Sequence, residues 1–219
     1  MFRHANSGDI PALAGIHREA LPRDLLPRLG ASYLRREFYP RVLEWDGAFT
    51  IVNEEDGRLN GFCIFARDGD SLTRRIMQKK FTIARHLLLA GLKDRSLFAE
   101  AAACLRGFRT SLFLDRVMDL RSLPEIYLIA TSPACQSRGI GGRILERGIR
   151  ILFREHSCCL AKTSSDRARQ FYLRNGFVEV GIEHRGSRSL CILLRRRNAD
   201  GLRSCETDTT PVQQRNGCG

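Results

Sequence analysis

Seven consecutive residues, Gln136-Ser137-Arg138-Gly139-Ile140-Gly141-Gly142, carry the clearest chemical signal in this 219-residue chain. They fall between an apolar strand-like run and an amphipathic helical run. A helix N-terminus leaves backbone N–H groups unpaired and carries a partial positive charge. Glycines let that backbone approach an anion without side-chain obstruction. A pyrophosphate fits such a turn, and Arg138 adds a charge-assisted contact. The turn is not a dinucleotide-binding signature, because no G-x-G-x-x-G follows the strand and no ribose-binding acid is suitably placed.

Other reactive side chains lack partners in the sequence. Cys135 directly precedes the turn, but covalent catalysis needs a base and no histidine can be named for it. His4, His17, His86, His156 and His184 have no motif around them and read as surface or core residues. The eight cysteines form no C-x-x-C pair and no histidine stands at zinc-ligand spacing from them, so no metal is expected. Cys63 and Cys191 lie inside apolar runs, where the thiol acts as a small buried hydrophobe. Reduced thiols and an N-terminus interrupted by Arg3, His4, Asp9, His17, Arg18 and Glu19 point to the cytoplasm. No apolar stretch approaches bilayer-spanning length, so no membrane partner is expected.

The elements that must position the turn follow from hydropathic period. After a short opening strand, Asp9 is expected to cap a helix with Pro11 in its first turn. A second helix is expected over Ser32 to Val42. Strands Phe49–Val52 and Gly61–Phe65 flank a polar linker, Asn53 to Asn60, that reads as a hairpin loop. Ser71 to Arg121 lacks strand alternation and reads as a helical insertion. A strand Glu125–Ala130, the Gly-rich turn and a helix to about Glu155 come next. A strand Cys158–Lys162, a helix Ser165–Arg174 and strands Phe177–Glu183 and Ser189–Leu194 complete the pattern. The segment 198–219 holds almost no large apolar residues and is expected to be a disordered tail after one domain over 1–197.

Hydrophobic residues at 43% and charged residues at 27% suit a globular domain. The formal charge of +12 favours phosphate-bearing partners. Arg67 to Arg121 holds twelve Arg or Lys against six Asp or Glu, half of that surplus. Its aromatics do not alternate with its cations in a stacking pattern, which argues against nucleic acid.

On these residues the chain resembles the GCN5-related N-acetyltransferase (GNAT) superfamily. The family's acyl-CoA motif, Q/R-x-x-G-x-G/A, is matched by Gln136, Gly139 and Gly141. Its downstream block, N-x-x-A-x-x-F-Y-x-x-x-G-F, is matched by Ala168, Phe171, Tyr172, Gly176 and Phe177, with Ser165 in place of the usual Asn. The two blocks span Glu125 to Phe177. The resemblance implies an α/β fold: a mixed, largely antiparallel central sheet flanked by helices, with the helical insertion before the fourth strand.

The resemblance also implies a site. The strand from Glu125 would splay from its neighbour, leaving backbone groups of Ile129, Ala130 and Thr131 for the pantetheine arm of acetyl-CoA. Amides of Ser137, Arg138, Gly139, Ile140, Gly141 and Gly142, with Gln136, would hold the pyrophosphate. Ser165 and Phe171 would border the cofactor. Tyr172 would protonate the leaving thiolate, and a phenol is chemically fit to do so; the other reading is an aromatic packed beside Phe171. A primary amine is mostly protonated near neutrality, so a base has clear value. A Glu placed like Glu125 serves as base in histone acetyltransferases of the family; the other reading is a solvated strand-end carboxylate.

The acceptor site is expected between the first two helices, the hairpin loop and the insertion. Leu29 to Leu34 with Phe38-Tyr39 is similar to family members of surface-polysaccharide and amino-sugar pathways. A small-molecule amine acceptor leads, such as an amino sugar or its nucleotide-linked form. A lysine or N-terminal amine of a protein is the alternative, and a non-catalytic CoA-binding module is a third reading. A homodimer is left open.

Overall fold

The computed structural model describes residues 1–92, 94, 96–98, 123–185 and 188–197. Seven strands form one sheet in the order β1-β2-β3-β4-β5-β7-β6. They are β1 (Phe2–His4), β2 (Ala48–Glu55), β3 (Arg58–Ala66), β4 (Glu125–Thr131), β5 (Cys158–Thr163), β6 (Val178–Arg185) and β7 (Arg188–Arg196). Every neighbouring pair is antiparallel except β4 with β5. The expected mixed, largely antiparallel sheet is therefore present.

The expected loop Asn53–Asn60 is instead strand on both sides of a two-residue turn. Asp56 and Gly57 have φ of 51° and 70°. Positive φ at both central positions gives a turn whose twist matches paired strands, so β2 runs to Glu55 and β3 resumes at Arg58.

Helix α1 (Ile10–Ala20) begins one turn later than its cap. Asn6, not Asp9, caps the 3-10 turn Ser7–Asp9 that feeds it, through a reciprocal capping box with Asp9. Asp9 already has helical dihedrals, so its carboxylate is turned back, accepting from Asn6 N at 2.8 Å and from Arg3 at 2.7 and 2.8 Å. The guanidinium holds the Asp9 carboxyl below its ordinary pKa. A short helix α2 (Leu25–Arg28) follows, which hydropathic period did not suggest.

The helix expected over Ser32–Val42 has three parts: α3 (Ala31–Tyr33), a π-helical turn Leu34–Phe38, and α4 (Tyr39–Leu43). Pro40 lacks the N–H that would bond the carbonyl four residues back, which breaks the regular ladder there. Within the insertion, α5 (Gly69–Met77) and α6 (Lys80–Gly91) confirm helix; residues 99–122 lie outside the described residues, as do the turn at 186–187 and the tail 198–219. Helices α7 (Ile140–Leu152) and α8 (Asp166–Arg174) complete the described elements. No helix among the described residues is long and apolar enough to cross a membrane.

The sheet carries a separate core on each face. Leu13, Phe38, Tyr39, Phe62 and Leu72 belong to one, under α1, α4 and α5. Phe65, Ile144, Ile149, Cys159 and Tyr172 belong to the other, under α7 and α8. Gly148 brings α7 close to the sheet, since a Cβ there would lie 2.0 Å from the Phe65 ring. In the first core His17 is 1% exposed, with Nδ1 at 3.0 Å from the Tyr39 hydroxyl. That hydroxyl donates to Leu13 O at 3.2 Å, so Nδ1 carries the imidazole proton and donates to Tyr39. Burial lowers the His17 pKa to about 4 and keeps the ring neutral.

Candidate active site

The parallel pair β4–β5 is short, and that shortness makes the site. Only Glu125↔Leu160 and Ile126↔Ala161 are in register. On its other edge β4 pairs with β3 along its length, but with a bulge: Ile64 faces Leu128 and Phe65 faces Ile126, leaving Tyr127 as the extra residue. A bulge bends and twists the strand that carries it. Beyond Ile126, β4 therefore parts from β5, and the segment holding Ile129, Ala130 and Thr131 borders the gap. This is the splay that the family resemblance implied.

The Gly-rich turn stands at the far end of β4. Ser132 N donates to Asn60 O at 2.8 Å, tying the exit of β4 to the β2–β3 hairpin. A 3-10 turn, Pro133–Cys135, leads to Gln136. Gln136 donates through Nε2 to Thr131 O at 3.2 Å and accepts from Arg167 on α8 at 2.7 Å. Ser137 and Gly139 then take left-handed dihedrals, with φ of 64° and 73°. Strain of this kind at a serine is uncommon and gathers at ligand-binding turns. Gly139 is the N-cap of α7 and no side chain caps that helix. Ser137, Arg138 and Gly139 are exposed, so the turn is open to solvent.

Strand, turn and α8 converge at Gly141. A Cβ there would lie 3.4 Å from Thr131 Oγ1 and 3.5 Å from the Phe171 ring, while one on Gly142 would crowd Asn175 Oδ1 at 3.1 Å. Asn175 in turn donates to Phe171 O at 2.7 Å, which fixes its side chain at the C-terminus of α8. Ser165 is the N-cap of α8, and its hydroxyl accepts from Ala168 N at 3.4 Å.

Tyr172 is 5% exposed, packed edge-on between Phe171 and Phe177 at ring separations of 5.4 and 5.2 Å. Burial drives its pKa well above the ordinary value, and Cys63 on β3, Glu125 on β4 and Cys159 on β5 act in the same direction. The phenol thus lies within electrostatic reach of β3, β4 and β5, and it is protonated at neutral pH. The ring is an aromatic packed beside Phe171, as one of the two sequence readings expected.

Glu125 is not a solvated strand-end carboxylate. Its side chain is 15% exposed, with Oε2 at 3.5 Å from Lys162 Nζ on β5. Lys162 also stands 4.0 Å from Glu183 Oε2 on β6, and that glutamate's side chain is 4% exposed. The Glu125 carboxylate rests on the first turn of α5, where a Cβ on Gly69 would lie 2.1 Å from Oε2. Hydropathic reading missed Lys162, Glu183, Gly69 and Arg167. Only Lys162 carried a signal, as a charge ending an otherwise apolar strand.

An open cavity of about 490 Å³ lies between α1, the β2–β3 hairpin and the exit of β4, lined by Arg3, Asp9, Gly15, Glu54, Leu59 and Ser132 among others. Neither Glu125 nor Tyr172 lines it. No cluster among the described residues has the ligands for a metal ion.

Residues 94–179 match the family model described as acetyltransferase (GNAT) domain. No curated protein sequence matches the chain. Among solved structures, a putative GNAT-family acetyltransferase from Desulfovibrio desulfuricans aligns at TM-score 0.56 and 13% identity, over 90% of this chain and 98% of that one. Ribosomal-protein-alanine N-acetyltransferase from Brucella melitensis aligns at 0.54 and 16%, over 90% and 99%. A Corynebacterium glutamicum protein, histone acetyltransferase HPA2 and related acetyltransferase, aligns at 0.57 and 18%, over 90% and 96%. At these identities the structural likeness establishes the fold, and the family match covers residues 94–179.

Proposed function

We propose that this chain, whose residues 94–179 match the GNAT acetyltransferase domain, is a member of that superfamily and moves the acetyl group of acetyl-CoA directly to a primary amine of a small molecule, an amino sugar or nucleotide-linked amino sugar. One observation carries the reading. β4 parts from β5 after Ile126, with an open, uncapped helix start at one end of the gap and a carboxylate and a buried phenol at the other.

In this reading the amides of Ser137 to Gly142 hold the pyrophosphate, because unpaired N–H groups at a helix start attract an anion. Gln136 braces the turn, and Arg138 adds charge. The edge of β4 at Ile129, Ala130 and Thr131 bonds the pantetheine arm, and Phe171 flanks it. Glu125 takes the proton from the acceptor's ammonium. The freed lone pair forms the N–C bond to the thioester carbonyl. The C–S bond then breaks, Tyr172 gives its proton to the sulfur, its raised pKa having kept that proton in place, and the second proton shed by the nitrogen restores the phenol. No enzyme thiol and no metal enters this scheme.

The Brucella protein's printed name concerns a protein alanine amine, so an N-terminal or lysine amine is the alternative acceptor. Thiol release from acetyl-CoA, measured with a panel of amino sugars, polyamines and peptides, separates the readings. Turnover confined to small amines is the expected result. Turnover on peptides alone overturns the acceptor assignment, and acetyl-CoA binding with no turnover on any amine overturns the catalytic one.

A further inference from the structure

Helix α6 is apolar on two opposite sides, and the core accounts for one of them. Ile83 and Leu87 pack against the first core, and the His86 ring lies 5.5 Å from that of Tyr33. These contacts fix the rotation of the helix. They leave Phe81, Leu88, Leu89 and Leu92 turned outward, at 94%, 57%, 56% and 76% exposure. Positions 81, 88 and 92 are seven and four residues apart, so they share one stripe, about 16 Å long at 1.5 Å per residue. Phe98 lies beside Gly91 and extends the stripe past the helix end with a ring that is itself exposed. A contiguous apolar patch on a folded domain marks a surface that meets something other than water.

Charge narrows what that is. From Ser71 to Leu92 the chain holds Arg74, Arg75, Lys79, Lys80 and Arg85 with no Asp or Glu, a formal charge of +5. Arg75 donates to Arg41 O at 3.3 Å, and Arg74 stands 3.9 Å from Asp68. Lys79, at the N-cap of α6, and Arg85, within the stripe, are exposed and have no ion pair among the described residues. Asp94, the first carboxylate downstream, is held by Arg28 at 2.6 Å.

A second copy meeting this face across a two-fold axis would set these cations against themselves, because such an interface must complement itself. A nucleic-acid backbone would satisfy the cations but leave the phenylalanine and leucines bare. An anionic bilayer surface takes both, its acyl chains accepting the apolar side chains and its headgroups the cations. At 12 residues α6 is about 18 Å long, against a hydrocarbon core of about 30 Å, so it lies in the interface plane and does not span. The expectation of no membrane partner rested on spanning length, which does not bear on a helix lying in that plane.

We propose that the outer face of α6 is a peripheral docking surface for anionic lipid bilayers. Phe81, Leu88 and Leu92 enter the boundary between headgroups and acyl chains, and Lys79 and Arg85 bind lipid phosphates. The inference does not depend on the acetyl-transfer reading.

Co-sedimentation of the full chain with vesicles is the test. Binding is expected to vesicles of phosphatidylcholine and phosphatidylglycerol in equal parts, to fall as salt is raised, and to be lost on phosphatidylcholine alone. Phe81→Ser combined with Leu88→Ser should weaken binding about thirtyfold. Lys79→Gln combined with Arg85→Gln should weaken it about tenfold and flatten its salt dependence. Phe81→Trp gives a second readout should the serine variant fail to fold. Its emission, above that of Trp45, the one native tryptophan, should shift to the blue with anionic vesicles only. Failure of the wild type to bind anionic vesicles overturns the proposal, as does undiminished binding by the folded serine variant or an unshifted Phe81→Trp emission. Lipid-free dimerisation that the serine variant abolishes overturns it in favour of a second copy.

Discussion

The two ends of β4 are built from different materials. Its exit leads into a turn whose character belongs to the backbone: positive φ at Ser137 and Gly139, a helix start with no side-chain cap, and exposed residues at 137–139. Its entrance is a site of side chains, where Glu125, Lys162 and Glu183 come from three strands. The same division runs through the two cores. The α7–α8 face has glycines that bring helices close, at Gly142 and Gly148. The α1–α5 face carries buried polar groups, such as His17 with Tyr39. A backbone site does not titrate in the physiological range, whereas a side-chain site does. In the proposed scheme the Gly-rich end should therefore tolerate changes of pH and fail on changes of backbone, and the Glu125 end the reverse.

The largest effect expected is at the gap between them. Tyr172→Phe removes the proton donor but keeps the ring contacts with Phe171 and Phe177, so kcat should fall by about 10²–10⁴-fold with the acetyl-CoA Kd unchanged, as read by stopped-flow turnover and calorimetry. Undiminished turnover would take Tyr172 out of the mechanism.

The contrast in pH response is the next. His17 has a folded pKa of about 4, below its unfolded value of about 6.5. Between these values the unfolded state binds more protons, so stability rises with pH across that window and is fully present above about pH 6.5. Denaturant unfolding should lose on the order of 3 kcal/mol on acidification from pH 7 to 4 through this residue. His17→Phe should flatten that slope, and an unchanged slope would mean that the buried ring is not its source.

Gly139→Val probes the backbone end. A β-branched residue at φ of 73° resists the left-handed region, so the turn shifts and the acetyl-CoA Kd should rise about tenfold, for a strain on the order of 1–2 kcal/mol. The rise should be the same at pH 6 and pH 8. The smallest effect expected is from Arg167→Met, which frees Gln136 at an exposed contact and should weaken acetyl-CoA by about threefold. A loss as large as that of Gly139→Val would mean that a side chain, and not the backbone, dominates the cofactor end.

Most of the fold and half of the site were legible in the amino-acid order. Strand and helix periods placed β4, α7, β5 and α8 within a few residues of their observed ends, because each buries one face along a continuous run. The Gly-rich turn was legible for the same reason: its chemistry lies in seven adjacent residues. Reading failed where local rules conflict or where partners are distant. The Asp56-Gly57 turn was concealed by a polar composition that suits a loop as well as a hairpin. Asp9 has the composition of a cap, but Arg3 and the earlier start at Asn6 claim it.

What the chain order determined by itself was the resemblance to the GNAT family, the sheet-and-helix sequence and the Gly-rich turn, since each depends on neighbours in the chain. The bulge at Tyr127, the parting of β4 from β5, and the meeting of Glu125 with Lys162 and Glu183 were decided by tertiary structure alone. A carboxylate's surroundings depend on which strands the sheet sets beside it, and strands joined by distant connections carry no mark of that adjacency in their own sequence.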